Sequence, residues 1–226
     1  MKNLKTYRMF ESVMELTQEQ VQWLNKCTKG TWALNPQTGL IDVKGGFNCS
    51  QQSLTDFKGV RFGVVDGYFN CTYNVLTSLE GAPQEVGGRF YCDNNSLTSL
   101  IGAPQEVGGG FWCDNNRLTS LIGAPQRVGK GFWCDNNRLT SLIGAPLKVD
   151  GGFRCDDNPV SEETLDAIFN EMQQGTSYLA AVESLWSRIP QDDQVLLYAD
   201  DFKWVTPEQR RGLLALRSYQ DLRGML

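Results

Sequence analysis

The sequence contains no histidine, no excess of basic residues and no long apolar run. Without histidine, the Ser–His and Cys–His nucleophile pairs and all histidine metal ligands are excluded. Lys and Arg number 21 against 26 Asp and Glu, and the resulting net charge of −5 argues against nucleic-acid binding, since phosphate contacts need basic residues in excess. No run of about 18 apolar residues occurs, so no membrane span is expected, and the N-terminus lacks the pattern of a secretory signal.

The seven cysteines do not follow a disulfide or zinc pattern, because their number is odd and no CxxC pair occurs. Five of them are spaced 21 residues apart: Cys71, Cys92, Cys113, Cys134 and Cys155. Stacked in one column, such thiols are best interpreted as small buried apolar residues. They indicate a reducing, intracellular compartment. No cofactor is predicted.

The phrase around each of these cysteines repeats along the chain. It is clearest as FWCDNNRLTSLIGAPQRVGK, from Phe111. Copies of varying quality begin at Phe47, Phe69, Phe90, Phe111, Phe132 and, in part, Phe153. A period in the twenties is typical of a solenoid, in which each unit buries its apolar face only by stacking on its neighbours.

Within a unit, the residue types predict where each side chain points. Phe and Cys are two residues apart on a short strand, so both face inward. The amides of one asparagine column are expected to satisfy backbone groups where the chain leaves the sheet: Asn74, Asn95, Asn116, Asn137 and Asn158. The Gly-Ala-Pro sequence, as at 81–83, turns the opposite side of the coil without a helix, since Pro fixes φ and has no N–H.

The chain is predicted to divide into three parts. Residues 1–45 form an N-terminal cap, with a helix after the capping-box sequence at Thr17 and a hairpin around the turn 35–39. Residues 46–160 form a solenoid of about six coils, and residues 161–226 form a helical C-terminal domain or cap.

In the C-terminal part, three helices are predicted. One begins at Ser161, one covers residues 178–188, and one begins after Thr206-Pro207. The acidic runs at 191–194 and 200–201 are interpreted as solvated loop.

The repeat matches the leucine-rich-repeat pattern LxLxxNxLxxL. Its form GGxFxCxxNxLTSLxGAPxxV resembles small leucine-rich-repeat proteins encoded by large tailed bacteriophages, as do the segments TKGTWALNPQTGLIDVKGGFNCS and NPVSEETLDAIF. The resemblance covers about residues 17–226. It implies an α/β, mainly β, right-handed solenoid with a parallel sheet on its concave face, and expression in the cytoplasm of an infected bacterium. It implies no particular activity.

The residue between Phe and Cys is predicted to point outward onto the concave face. Along the solenoid this residue is Asn48, Asn70, Tyr91, Trp112, Trp133 and Arg154. Parallel strands lie about 4.8 Å apart, so the last four would form a ribbon about 15 Å long. Trp, Tyr and Arg dominate binding hot spots, which favours partner binding. The alternative is that the rings only stack on one another and stiffen the sheet.

The next outward column is Ser50, Thr72, Asp93, Asp114, Asp135 and Asp156. In-line carboxylates repel one another, which favours a partner with a basic surface, or a Ca²⁺ ion held by carboxylate oxygens. Alternatively, each Asp accepts hydrogen bonds from the turn that follows it. We assign Asp93, Asp114 and Asp135 to the partner-binding site, and predict no metal site.

These features predict a non-catalytic protein-binding module with Tyr91, Trp112 and Trp133 as its anchors. The spelling Cys-x-Asp at Cys155 resembles the nucleophile of some bacterial ubiquitin ligases, but its register places this thiol in the buried column. The phage resemblance suggests a host-directed inhibitor or anti-defence factor that binds a bacterial or phage protein. The alternatives are a structural or virion-associated phage protein and, third, a carbohydrate-binding module.

Overall fold

A computed structural model describes residues 16–199 and shows a mainly-β solenoid of about five turns with a few helices. The fold class expected from the 21-residue period is therefore confirmed. The elements of that range are α1 (Gln18–Cys27), β1 (Thr28–Leu34), β2 (Ile41–Asn48), β3 (Phe62–Val65), β4 (Phe69–Asn70), β5 (Glu85–Val86), β6 (Phe90–Tyr91), β7 (Glu106–Val107), β8 (Phe111–Trp112), β9 (Arg127–Val128), β10 (Phe132–Trp133), β11 (Lys148–Val149), β12 (Phe153–Arg154), α2 (Glu162–Gln173), α3 (Tyr178–Leu185), a 3₁₀ turn (Trp186–Arg188) and α4 (Gln191–Ala199).

The sheet consists of two parallel ladders that diverge from the long strand β2. The first half of β2 pairs with β3, and this ladder continues through β5, β7 and β9 to β11. The second half of β2 pairs with β4, and this ladder continues through β6, β8 and β10 to β12. We call the first the valine ladder and the second, which carries the Phe–x–Cys sequences, the Phe–Cys ladder. The sequence predicted the Phe–Cys ladder alone.

The inward columns form the core, as their spacing predicts. Phe90, Cys92 and their equivalents from Phe47 to Cys134 are fully buried. Successive phenylalanine rings stack nearly parallel, for example with 5.1 Å between the centroids of Phe90 and Phe111. Burying one such side chain stabilises the fold by about 1.5–3 kcal/mol. Each coil obtains this burial only from the coils on either side.

The asparagine column satisfies the backbone as predicted. The Asn116 amide donates to the carbonyl oxygens of Cys113 and Cys92, and its Oδ1 accepts the N–H of Leu97. Each asparagine thus links its own coil to the one before it. Two-residue strands are too short to hold a coil by themselves, so this ladder of side chains completes the pairing.

The N-terminal cap has the predicted helix and hairpin. Thr17 and Gln20 form a capping box at the start of α1, and β1 pairs antiparallel with β2 around the turn 35–39. Trp23 of α1 packs edge-on against Phe47, with ring centroids 5.2 Å apart. It thereby covers the first ring of the phenylalanine column. Residues 1–15 of the predicted cap lie outside the described range.

The C-terminal helices agree with the sequence except at one place. Ser161 is the N-cap of α2, and α3 with the 3₁₀ turn spans the predicted 178–188. The helix expected after Thr206-Pro207 and the acidic pair 200–201 lie outside the described residues. Within residues 16–199, no helix is both long and apolar enough to cross a membrane.

The interpretation of 191–194 as solvated loop is wrong. These residues begin α4, and Asp193 is buried, with its carboxylate accepting hydrogen bonds from the Ser161 hydroxyl and N–H and from the Thr164 hydroxyl. Burial alone raises the pKa of Asp193, but the hydrogen bonds outweigh it and lower the pKa below its usual value. The acidic run therefore includes a carboxylate that lies at the N-terminus of α2 and holds its N-cap residue, Ser161.

Candidate functional site

Three aromatic side chains form a continuous stack along the outward side of the Phe–Cys ladder. The ring centroids of Tyr91 and Trp112 are 4.6 Å apart, and those of Trp112 and Trp133 are 4.4 Å apart. Strand register puts the three in line, with Asn70 before them and Arg154 after them. We call Tyr91, Trp112 and Trp133 the aromatic stack. All three side chains are partly buried.

The tryptophan rings lie back over glycines two residues earlier in the chain. A Cβ on Gly110 would come within 2.7 Å of Cη2 of Trp112, and a Cβ on Gly131 would collide with the ring of Trp133. Both glycines are buried. The rings therefore stack face to face and leave their edges toward solvent, and neither indole N–H has a hydrogen-bond partner in the described part of the chain.

Arg89 is a member of this surface that the sequence analysis missed. Its guanidinium lies 5.6 Å from the ring centroid of Trp112 and donates a hydrogen bond to the Tyr91 hydroxyl at 3.2 Å. Arg89 precedes Tyr91 by two residues, so the alternation of side chains along a strand places both on one face. The same rule would have identified the glycines beneath the rings.

The acidic column runs beside the stack and is joined by hydrogen bonds between coils. Asp114 Oδ1 accepts the N–H of Asp135 at 3.1 Å, and Asp135 Oδ1 accepts the N–H of Asp156 at 2.9 Å. The bonds thus come from the next coil rather than from the turn that follows each residue. Asp93 instead accepts from the amide of Asn94 at 2.8 Å.

Burial and mutual repulsion make the charges of this column unfavourable. Burial and the neighbouring Asp135 raise the pKa of Asp114 to about 6. Burial also raises the pKa of Asp93 and of Asp135. At the C-terminal end, Arg154 lies 2.5 Å from a carboxylate oxygen of Asp156 and 3.6 Å from one of Asp135, and its hydrogen bond lowers the pKa of Asp156.

The seven residues selected from the sequence therefore lie on one face of the Phe–Cys ladder, which we call the aromatic face: Tyr91, Trp112, Trp133, Arg154, Asp93, Asp114 and Asp135. Toward the N-terminus the face becomes neutral, because Asn48 and Asn70 occupy the aromatic positions and Ser50 and Thr72 the acidic ones. Whether these residues bind a partner stays a prediction.

Metal binding and a nucleophilic cysteine are the two other kinds of chemistry that the sequence suggests. Among residues 16–199, no group of three or more Cys, Asp or Glu side chains is arranged to hold a metal ion. Cys155 is fully buried, and burial raises the pKa of its thiol. A thiol in this environment is neither accessible nor ionised at neutral pH.

Comparisons with protein-family models, curated proteins and solved structures find no match for this chain. A functional conclusion therefore depends on the repeat and on the chemistry of its faces.

Proposed function

We propose that this is a non-catalytic binding protein that holds a partner protein on its aromatic face. The observation that carries the proposal is the aromatic stack, whose two indole N–H groups have no hydrogen-bond partner among the described residues and whose neighbouring column is acidic. Partly exposed Trp and Tyr supply large rigid contact area at small entropic cost, which is why they dominate binding hot spots.

The acidic column supports a partner with a basic surface. The raised pKa of Asp114 means that the folded protein holds this charge at a free-energy cost. A Lys or Arg side chain from a partner would relieve that cost and would also extend the role that Arg154 has at the end of the column. Such complementary charges would mainly determine specificity and association rate.

The geometry of the stack favours a protein over a carbohydrate. Sugars pack against the open faces of aromatic rings, but both faces of Trp112 are occupied by Tyr91 and Trp133. What remains along most of the stack is a row of ring edges with N–H donors. Peptide carbonyls and apolar side chains suit such a row.

The family of this protein and its cellular role are also proposals. The LxLxxNxLxxL pattern and the resemblance to small phage-encoded proteins support a leucine-rich-repeat protein that acts in an infected bacterium. Within that setting, a host-directed inhibitor or anti-defence factor is the role we propose.

The test is affinity capture from a lysate of phage-infected bacteria, followed by a dissociation constant measured with the purified captured protein. The double variant Trp112→Ala, Trp133→Ala should weaken binding at least about tenfold while retaining the circular dichroism spectrum of the wild type.

The matched control is Ile101→Ser with Ile122→Ser, which removes two side chains that are 61% and 47% exposed on the Gly-Ala-Pro side. Equal affinity of the folded tryptophan variant and the wild type would reject the proposal. Capture of phage particle proteins only would indicate a structural role instead.

A further inference from the structure

Two columns of the solenoid are closed at the C-terminal end by a residue of α2. The ring of Phe169 stacks on Phe153 with a 4.0 Å centroid distance and so completes the phenylalanine column. Gln173 closes the valine ladder, because its side chain accepts the N–H of Val149 and donates to the carbonyl of Pro146. In the described part of the chain the aromatic stack has no such cap, because the position after Trp133 is Arg154, which is not a ring.

The guanidinium of Arg154 does not lie over the ring of Trp133. Its guanidinium is drawn to Asp156 and Asp135, on the acidic side of the ladder. The ring of Trp133 leans the opposite way, over Gly131. Within residues 16–199, the one cation–π contact is that of Arg89 with Trp112.

No described residue fills the space that the next ring of the stack would take. Gly110 and Gly131 are buried beneath the tryptophan rings, and a Cβ on either would collide with them. Gly152 is the equivalent residue of the last coil, yet it is exposed, and a Cβ built on it meets no atom of residues 16–199 within 4 Å. The last coil thus has the glycine that lies beneath a tryptophan ring in the two coils before it, but no ring lies over this glycine.

We infer that this space, bounded by the outer face of Trp133 and by Gly152, is a subsite for an aromatic side chain of the partner protein, a tryptophan or a tyrosine. The inserted ring would continue the stack, whose members have centroid spacings of 4.6 and 4.4 Å. This inference rests on the proposed function and names the anchor that the partner supplies.

A flat, uncharged ring suits this subsite better than a guanidinium. Arg154 stands beside it and already neutralises the nearest carboxylates. A second guanidinium would therefore meet like charge at close range without a free carboxylate to compensate. An aromatic ring needs only the face of Trp133 and the bare backbone of Gly152, both of which are present.

The first test uses N-acetyl-L-tryptophanamide as the probe, titrated into ¹⁵N-labelled protein. The amide of Gly152 and the indole N–H of Trp133 should shift with saturation. In Gly152→Ala the shifts at Trp133 should require at least about tenfold more probe, because the added methyl group lies where the ring would rest. Absence of shifts in the wild type, or equal shifts in the alanine variant, would overturn the inference.

Gly152→Ala is a suitable variant because it should leave the free protein intact. Its Cβ would meet none of the described residues, and Gly152 is not among the glycines with positive φ, so the melting temperature should not fall. Arg154→Trp is the complementary variant. Its own ring should cover Gly152 and exclude the probe.

The partner obtained by affinity capture separates this inference from the proposed function. If Gly152→Ala weakens partner binding at least about tenfold, the subsite is supported. If that variant binds normally while Trp112→Ala with Trp133→Ala does not, the subsite is rejected and the proposed function stands. If both variants bind normally, both proposals fail.

Discussion

At the scale of single residues, Asp114 has the most unfavourable charge on the aromatic face. It lies between Asp93 and Asp135 in the column, and burial is the largest cause of its raised pKa. Its Oδ1 nevertheless holds the next coil through the N–H of Asp135. The residue thus has two separable contributions, a hydrogen bond that stabilises the stacked coils and a charge that destabilises them.

Asp114→Asn should stabilise the free protein at neutral pH. The amide keeps an Oδ1 acceptor for the Asp135 N–H but has no charge. The free energy of unfolding at pH 7 should rise by about 1 kcal/mol, a value reduced from the full pKa shift because the side chain is partly solvated.

The gain of Asp114→Asn should depend on pH. The pKa rises from 3.8 to about 6 on folding, so the folded state binds this proton more tightly, and ionisation between those values destabilises it. Denaturant unfolding should therefore show wild type and variant converging toward pH 4 and separating above pH 6. A gain that is constant over this range would show that the charge is not the cause.

At the scale of elements, the strands are held by side chains as much as by each other. The carbonyl of Cys113 accepts from the amides of both Asn116 and Asn137, and the carbonyl of Cys92 accepts from both Asn95 and Asn116. The N–H of Leu97, in contrast, has the Oδ1 of Asn116 as its partner. Loss of Asn116 would therefore leave both carbonyl oxygens with a hydrogen bond from another asparagine. Only the N–H of Leu97 would lose its acceptor.

Asn116→Ala should destabilise the protein by about 2–3 kcal/mol, because it leaves the buried N–H of Leu97 unpaired and opens a small cavity. Chemical denaturation measures this directly. The control is Asn115→Gly, at an exposed neighbour with φ of 53°, a conformation that glycine adopts without strain. A similar loss in both variants would mean that the effect comes from the turn and not from the asparagine ladder.

At the scale of the whole molecule, the repeated coils have equivalent places in the stack, whereas the two ends are closed by different elements. Trp23 covers the phenylalanine column at one end, and Phe169 covers it at the other. Between them, each coil contacts only its neighbours, so stability is expected to change by one unit and its interfaces when a coil is removed.

Deleting residues 111–131 joins Gly110 to Phe132 and should yield a folded protein one coil shorter. Trp133 should then stack on Tyr91. The melting temperature should fall by about 5 °C or more, since one set of coil interfaces is lost. Deleting residues 111–120 is the control, because the half-coil that remains lacks the strand that pairs with β6 and β10 and so cannot stack as a complete unit. Equal stability of the two deletions would contradict the stacked-coil arrangement.

The sequence by itself determined the periodic features of this protein. Every coil repeats the same environment, so the spacing of Phe, Cys, Leu and Asn was enough to place the core, the asparagine ladder and the outward aromatic and acidic columns. The capping box at Thr17 and the N-cap at Ser161 were also evident, because they are local patterns of a few residues.

The tertiary structure alone decided what occurs once and joins distant segments. Three features have no counterpart in the repeat. They are the burial of Asp193 at the start of α2, the hydrogen bonds by which Gln173 closes the valine ladder, and the uncovered backbone at Gly152. Each depends on contacts between parts of the chain 24 or more residues apart, or on a side chain that is missing from a repeated position. The repeat period reveals only the features that all coils share. These three features could not be predicted from it, because each occurs where one part of the chain differs from the repeat.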